Sequence, residues 1–208
     1  MVSYVKPITR SEALRQGYTD KELRGPRFQR LFQGVYLPSG VRVNQLHRAL
    51  AALLVAPPGA YVSHHTAAAL WGGIVPDTED THISVPGEAT RSIRRGIFAH
   101  RADPAVIPIA HRGVPTAPPL ASFLQLASLR LDLVALVVLG DSLVRRKRVT
   151  PERLVEAAAQ WNGKGRPPGP PRSQPGPSGR RLRDGDPGPA ADRAGRAARA
   201  TGQLHRAR

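Results

Sequence analysis

Cysteine is absent from this chain, which excludes a disulfide framework and any thiolate metal site. Aromatic residues make up only 5% of it and methionine occurs once, so bulky core anchors are few and each is informative. Long apolar runs are missing as well. The longest, Leu133 to Leu139, is far too short to span a bilayer. Acidic residues are outnumbered, with 15 Asp and Glu against 31 Lys and Arg, a formal charge of +16. A surplus that large points to a polyanionic partner, nucleic acid or an anionic membrane surface. Met1-Val-Ser-Tyr-Val-Lys lacks the charged-then-apolar pattern of a secretion signal. The expectation is a cytoplasmic protein with no membrane segment.

What is present divides unevenly along the 208 residues. From Lys164 to Arg208 there are eleven Lys or Arg and three Asp, with eight Pro and eight Gly. Leu182 and Leu204 are the only large apolar residues there, too little to offset the entropy of ordering, so 164–208 reads as a disordered basic tail. The body before it, 1–163, reads as α+β and without internal repeats.

Its centre is Tyr61-Val-Ser-His-His-Thr-Ala-Ala-Ala-Leu-Trp-Gly-Gly73. Tyr61 and Val62 have strand character, Ser63 can cap a helix, and Ala67, Ala68 and Ala69 favour one that packs closely. Leu70 and Trp71 add bulk before Gly72-Gly73 stops it. Upstream, Thr9 with Glu12 and Thr19 with Glu22 each spell a capping box, and Gly17 separates two short helices. Gly25-Pro26 ends the second, and Arg27 to Leu37 suggests a β-ribbon with a bulge or turn at Gly34. Helix, turn, helix, ribbon is the order of a winged helix-turn-helix, assigned to 1–40.

Double-stranded DNA is the partner such a unit would take. Thr19, Lys21, Arg24, Arg27 and Arg30 are the candidate contacts, able to neutralise phosphates and seat the second helix in a major groove. The other reading is an ordinary helical hairpin with a solvated basic face, and Asp20 and Glu22 put negative charge beside those cations. Residues 41–163 read as a small α+β domain. Leu46, Leu50, Leu53 and Leu54 mark an amphipathic helix, and Thr81 to Val85 alternates as a half-buried strand. Gly96–His100 and Val106–Ile109 suggest further strands, with Arg91, Arg94 and Arg95 making a basic loop. Pro118 or Pro119 opens a helix, Leu131–Val144 a buried one, and Thr150-Pro151-Glu152 a capped last one.

No catalytic or metal site is expected, nor any cofactor. His64 and His65 are adjacent and point about 100° apart on a helix. His82 and His100 have no ligand-like spacing, and Glu79, Asp80 and Glu88 read as solvated loop acids.

Five segments in order carry a resemblance: 8–24 with RFQRLFQGVYLP (27–38), YVSHHTAAALWGG (61–73), HISVP (82–86), RRGIFAH (94–100) and GVPTAPP…FLQLASL (113–129). Together they resemble the actinobacterial members of the AbiE-type antitoxin family (AbiEi-like, type IV toxin–antitoxin). The resemblance implies an N-terminal winged helix, a DNA-binding autorepressor, and a nucleotidyltransferase-like toxin as partner. Many such relatives continue into a Vsr-like endonuclease domain, which is not recognisable after Gly165. A non-catalytic truncated remnant of that architecture is therefore the alternative. The Pro/Gly/Arg text of the tail is also what GC-rich coding DNA yields out of frame, so a frameshift and a genuine extension both stand.

Overall fold

The computed structural model describes residues 5–87, 94–129 and 131–160, all within one compact unit, Met1–Pro170. Glu88, Arg91 and the tail 164–208 lie outside the described residues. Seven helices and two sheets make a mixed α and β structure among the described residues.

Short helices need help at their ends, since nucleation fixes several dihedrals for one hydrogen bond. β1 (Ile8–Thr9) leads into α1 (Arg10–Arg15), and α2 (Asp20–Arg24) follows after Gly17, whose φ of 90° reverses the chain. Both capping boxes form. Thr9 Oγ1 accepts from the Glu12 N–H at 3.2 Å, Thr19 Oγ1 from the Glu22 N–H at 3.2 Å, and each glutamate reaches back to its cap. Thr9→Ala and Thr19→Ala should each cost about 1 kcal/mol. Urea denaturation checks this, and midpoints indistinguishable from the parent would remove the caps from the account.

β2 (Phe28–Phe32) and β3 (Val35–Pro38) form the ribbon, bulged between Arg30 and Phe32 and turned at Gly34, φ 76°. β1 pairs antiparallel with β3, giving the order β1-β3-β2. Two residues of this sheet, Phe32 and Val35, are buried in a cluster with Ala51, Ala52, Ala60, Ile83, Val85 and Ile97. The boundary expected after residue 40 is thus crossed by a shared core.

Helix α3 (Gln45–Leu54), capped by Asn44, supplies two of those residues. The leucine stripe marked the helix but not its most buried positions. Ala49, Ala51 and Ala52 are fully buried, while Leu54 is 43% exposed, because the alanine face of α3 is the one that packs on residues of the two sheets.

The second sheet runs β6-β5-β4-β8-β7. β4 (Tyr61–Val62) pairs antiparallel with β5 (Thr81–Val85) and parallel with β8 (Val114–Thr116). β5 also pairs parallel with β6 (Ile97–Arg101). All five residues of β5 are buried, not half of them as its alternation suggested. The strand is internal, so Ile83 and Val85 meet the α3 cluster on one face while His82 and Ser84 are covered on the other. The strand expected at Val106–Ile109 begins instead at Ile109, as β7 (Ile109–His111). β7 and β8 close a hairpin at Arg112-Gly113, with φ of 51° and 83°, the positive pair a two-residue turn of primed type requires.

Helix α4 (His64–Leu70) follows β4, as its alanines dictate, but Ser63 does not cap it with its side chain. Ser63 Oγ lies 2.9 Å from His64 Nδ1 instead. The His64 N–H is taken by Gln125 Oε1, 3.0 Å away on α5 (Pro119–Ser128). A partner 61 positions downstream thus satisfies the first N–H of the helix, one that a Ser63 cap would not have reached. α6 (Leu133–Arg145) and α7 (Pro151–Gln160) complete the described chain. α6 is not buried on most sides. Leu136, Leu139 and Leu143 face the core, whereas Leu133, Val134 and Val137 are 60%, 70% and 53% exposed. Leu133 and Val137 border a groove of about 320 Å³ with Phe123, Leu154 and Val155.

Candidate nucleic-acid interface and a buried histidine cluster

The five sequence-chosen contacts do not share one role. Thr19 is occupied as a cap, its hydroxyl also donating to Glu22 Oε2 at 2.9 Å. Arg27 is occupied too. Its guanidinium lies 2.9 Å from Glu22 Oε1 and 5.9 Å from the centre of the Tyr18 ring. Lys21 and Arg24 are exposed, three apart on α2, and neither forms an ion pair among the described residues. Arg30, on β2, instead lines a polar cavity with Arg48 and Arg95. From the basic loop, Arg94 donates to the Gln33 carbonyl at 2.7 Å.

The acids that argued against this face are neutralised. Asp20 receives two bonds from Arg10, at 2.7 and 2.5 Å, which hold its carboxyl below the usual carboxylate range. Glu22 is held low first by the Thr19 backbone N–H, then by the Thr19 hydroxyl, with Arg27 beside it. With both acids paired to other arginines, Lys21 and Arg24 are left without an ion pair, although Arg24 adds to the field that holds Asp20 low. None of Arg10's part was visible in sequence, because it lies ten positions from Asp20 and no helical spacing connects them.

Four histidines that read as separate packed or surface residues are brought together. The parallel register of β5 and β6 sets His82 opposite Phe98 and Ser84 opposite His100, so His82 and His100 fall on one face. His82 Nδ1 is 2.9 Å from His100 Nε2, one of the two being the donor. The first turn of α4 adds His64, whose ring stacks on His100 at 3.4 Å between centroids, and His65, 4.7 Å from His82. His64 has a φ of 51°, a left-handed conformation that a side-chain-bearing residue enters at a cost of about 1–3 kcal/mol, so packing holds it there.

Burial keeps these rings neutral. It lowers His64 to about 2, with the neighbouring His100, His82 and His65 pushing the same way. His100 falls to about 3 through burial, then His82 and His65. His82 falls to about 4 through burial and His65, with Asp80 opposing. Burial lowers His65 as well. Among the described residues no group of three or more His, Cys, Asp or Glu is arranged to hold a metal ion. The cluster is thus a stack of neutral rings joined by one ring-to-ring hydrogen bond. Its only sequence signal was the pair of histidines at alternating positions in two strand-like segments, and their pairing could not be read.

No protein-family model matches the chain, and no curated protein matches it. The fold defines a mixed α and β protein with a three-stranded and a five-stranded sheet among the described residues. No described helix is long and apolar enough to cross a membrane.

Proposed function

We propose that this chain is a DNA-binding transcriptional regulator of antitoxin type, autorepressing, with β1–α1–α2–β2–β3 acting as a winged helix-turn-helix. The exposed, unpaired Lys21 and Arg24 on α2, beside acids neutralised from α1 and β2's approach, carry the reading. Chain order supports it: two capped helices precede a ribbon whose second strand also pairs with the strand before the helices. That connection ties the ribbon to the start of α1 and aligns the unit for a groove and its flanking phosphates. The net charge of +16 supports a polyanionic partner. Resemblance to AbiE-type antitoxins adds a nucleotidyltransferase-like toxin as the protein partner and the cytoplasm as the compartment.

The test is binding to the DNA upstream of its own reading frame, compared with random duplex, across a salt series. Lys21→Glu/Arg24→Glu should abolish the preference and reduce the slope of log affinity against log salt by about 2, near one per lost phosphate contact. The basic residues of 164–208 are present in both proteins, so their sequence-independent attraction cancels in the comparison. A variant that keeps both preference and slope would overturn the assignment of α2.

A further inference from the structure

A polar cavity of about 540 Å³ opens between the two sheets, with neither Lys21 nor Arg24 in its lining. β2 supplies Arg30, α3 supplies Arg48, and the segment entering β6 supplies Arg95. Glu79 and Asp80 face the same space from the segment leading into β5. Yet no guanidinium here pairs with a carboxylate. The ion pairs among the described residues are Arg10–Asp20 and Arg27–Glu22. Arg30, Arg48, Arg95 and Glu79 are exposed and Asp80, which also acts on His82, is half-buried, so these groups border one volume with donors and acceptors open to something placed between them.

The charge pattern selects the ligand. Duplex DNA is anionic along its length and would be repelled by Glu79 and Asp80. A bare anion would satisfy the arginines, leave the carboxylates unanswered, and fill little of a volume within the range of small-molecule sites. A ligand anionic at one end and rich in hydroxyl or amino donors at the other answers both sets. We propose that this cavity binds a small nucleoside mono- or diphosphate. Arg30, Arg48 and Arg95 take the phosphate, and Glu79 and Asp80 accept from sugar hydroxyls or base amino groups. Guanidinium groups suit the first task because their fork matches phosphate oxygens.

Calorimetric titration of the full chain tests this, with ADP and GDP as probes and adenosine and inorganic pyrophosphate as controls. Both nucleotides should bind, and adenosine at least tenfold more weakly. Arg48 and Arg95 are exposed, so Arg48→Gln/Arg95→Gln leaves the core intact and should weaken nucleotide binding at least tenfold. Glu79→Gln/Asp80→Asn should weaken nucleotides but tighten pyrophosphate, the opposite signs that a two-ended ligand demands. Lys21→Glu/Arg24→Glu should leave ADP binding unchanged, and Arg48→Gln/Arg95→Gln should keep any preference for the upstream DNA, which separates this proposal from the DNA reading. No binding of ADP or GDP at about 1 mM, a threshold near −4 kcal/mol, would overturn it. So would nucleotide affinity that ignores either double substitution.

Discussion

Between pH 6.5 and pH 5 this protein should lose a large part of its resistance to urea. His64, His82 and His100 are neutral when folded, at about 2, 4 and 3, and titrate near 6.5 when unfolded. Above pH 6.5 both states are neutral and the full stability is present. As pH falls below 6.5, the unfolded chain binds protons that the folded chain refuses, so stability declines with each step down. The decline continues until the folded values are reached. Each such histidine removes about 1.4 kcal/mol per pH unit, and three remove roughly 4–6 kcal/mol by pH 5, with the partly exposed His100 contributing least. That is a large part of the roughly 5–15 kcal/mol a domain of this kind possesses. His47, buried on α3 and lowered by burial, acts in the same direction. Carboxylates held low, such as Asp20 and Glu22, begin to titrate only at more acidic pH, so the window isolates the imidazoles. Urea midpoints measured at half-unit steps should fall throughout it, and His82→Gln/His100→Gln should flatten the fall. A midpoint constant from pH 7 to pH 5 would show that these rings take up protons without unfolding.

Removing the indole of Trp71 should be the most damaging single truncation in the body. It is 7% exposed and packs in a cluster with Ala68, Leu126, Leu136, Leu139 and Leu143. Its Nε1–H donates to the Ala117 carbonyl at 2.8 Å, tying α4 to the segment ahead of α5. The His111 ring stacks on it at 3.7 Å, and the Arg148 guanidinium sits 5.5 Å from its centre. Trp71→Ala should cost about 3–5 kcal/mol, the range for deleting a buried large aromatic. Trp71→Phe keeps most of the packing but removes the shorter of two hydrogen bonds to the Ala117 carbonyl, which the Ser122 hydroxyl also reaches at 3.3 Å, and so adds about 0.5–1.5 kcal/mol to a smaller cavity term. Chemical denaturation of the three proteins ranks them. A loss in the alanine variant no larger than in the phenylalanine variant would mean that the hydrogen bond, not the packing, anchors this corner. A loss in neither would remove Trp71 from the core.

Gly73, two positions beyond Trp71, lets another helix come close. A Cβ at Gly73 would stand 2.7 Å from Leu139 Cδ1 and 2.9 Å from the Ala68 carbonyl oxygen, so α6 can approach only because that atom is missing. The double glycine was legible as a helix stop. Its second member is required for a different reason, the closeness of a helix more than sixty positions away.

Whatever depends on neighbours within about four positions was determined by the sequence itself. The capping boxes at Thr9 and Thr19, the alanine helix after Val62, the bulged ribbon and the proline-led starts of α5 and α7 all belong here. Each rests on a backbone preference or a hydrogen bond closed within one turn, which a linear text states directly. Only the tertiary structure decided the rest. It brought Gln125 to the first N–H of α4 and paired Arg10 with Asp20. It also gathered four histidines onto one strand pair and α4, and set three arginines against two carboxylates around one cavity. These contacts join positions ten to more than sixty apart, and they follow from strand order and register. Those are settled by which apolar faces cover one another, a property of the whole chain that no short window contains.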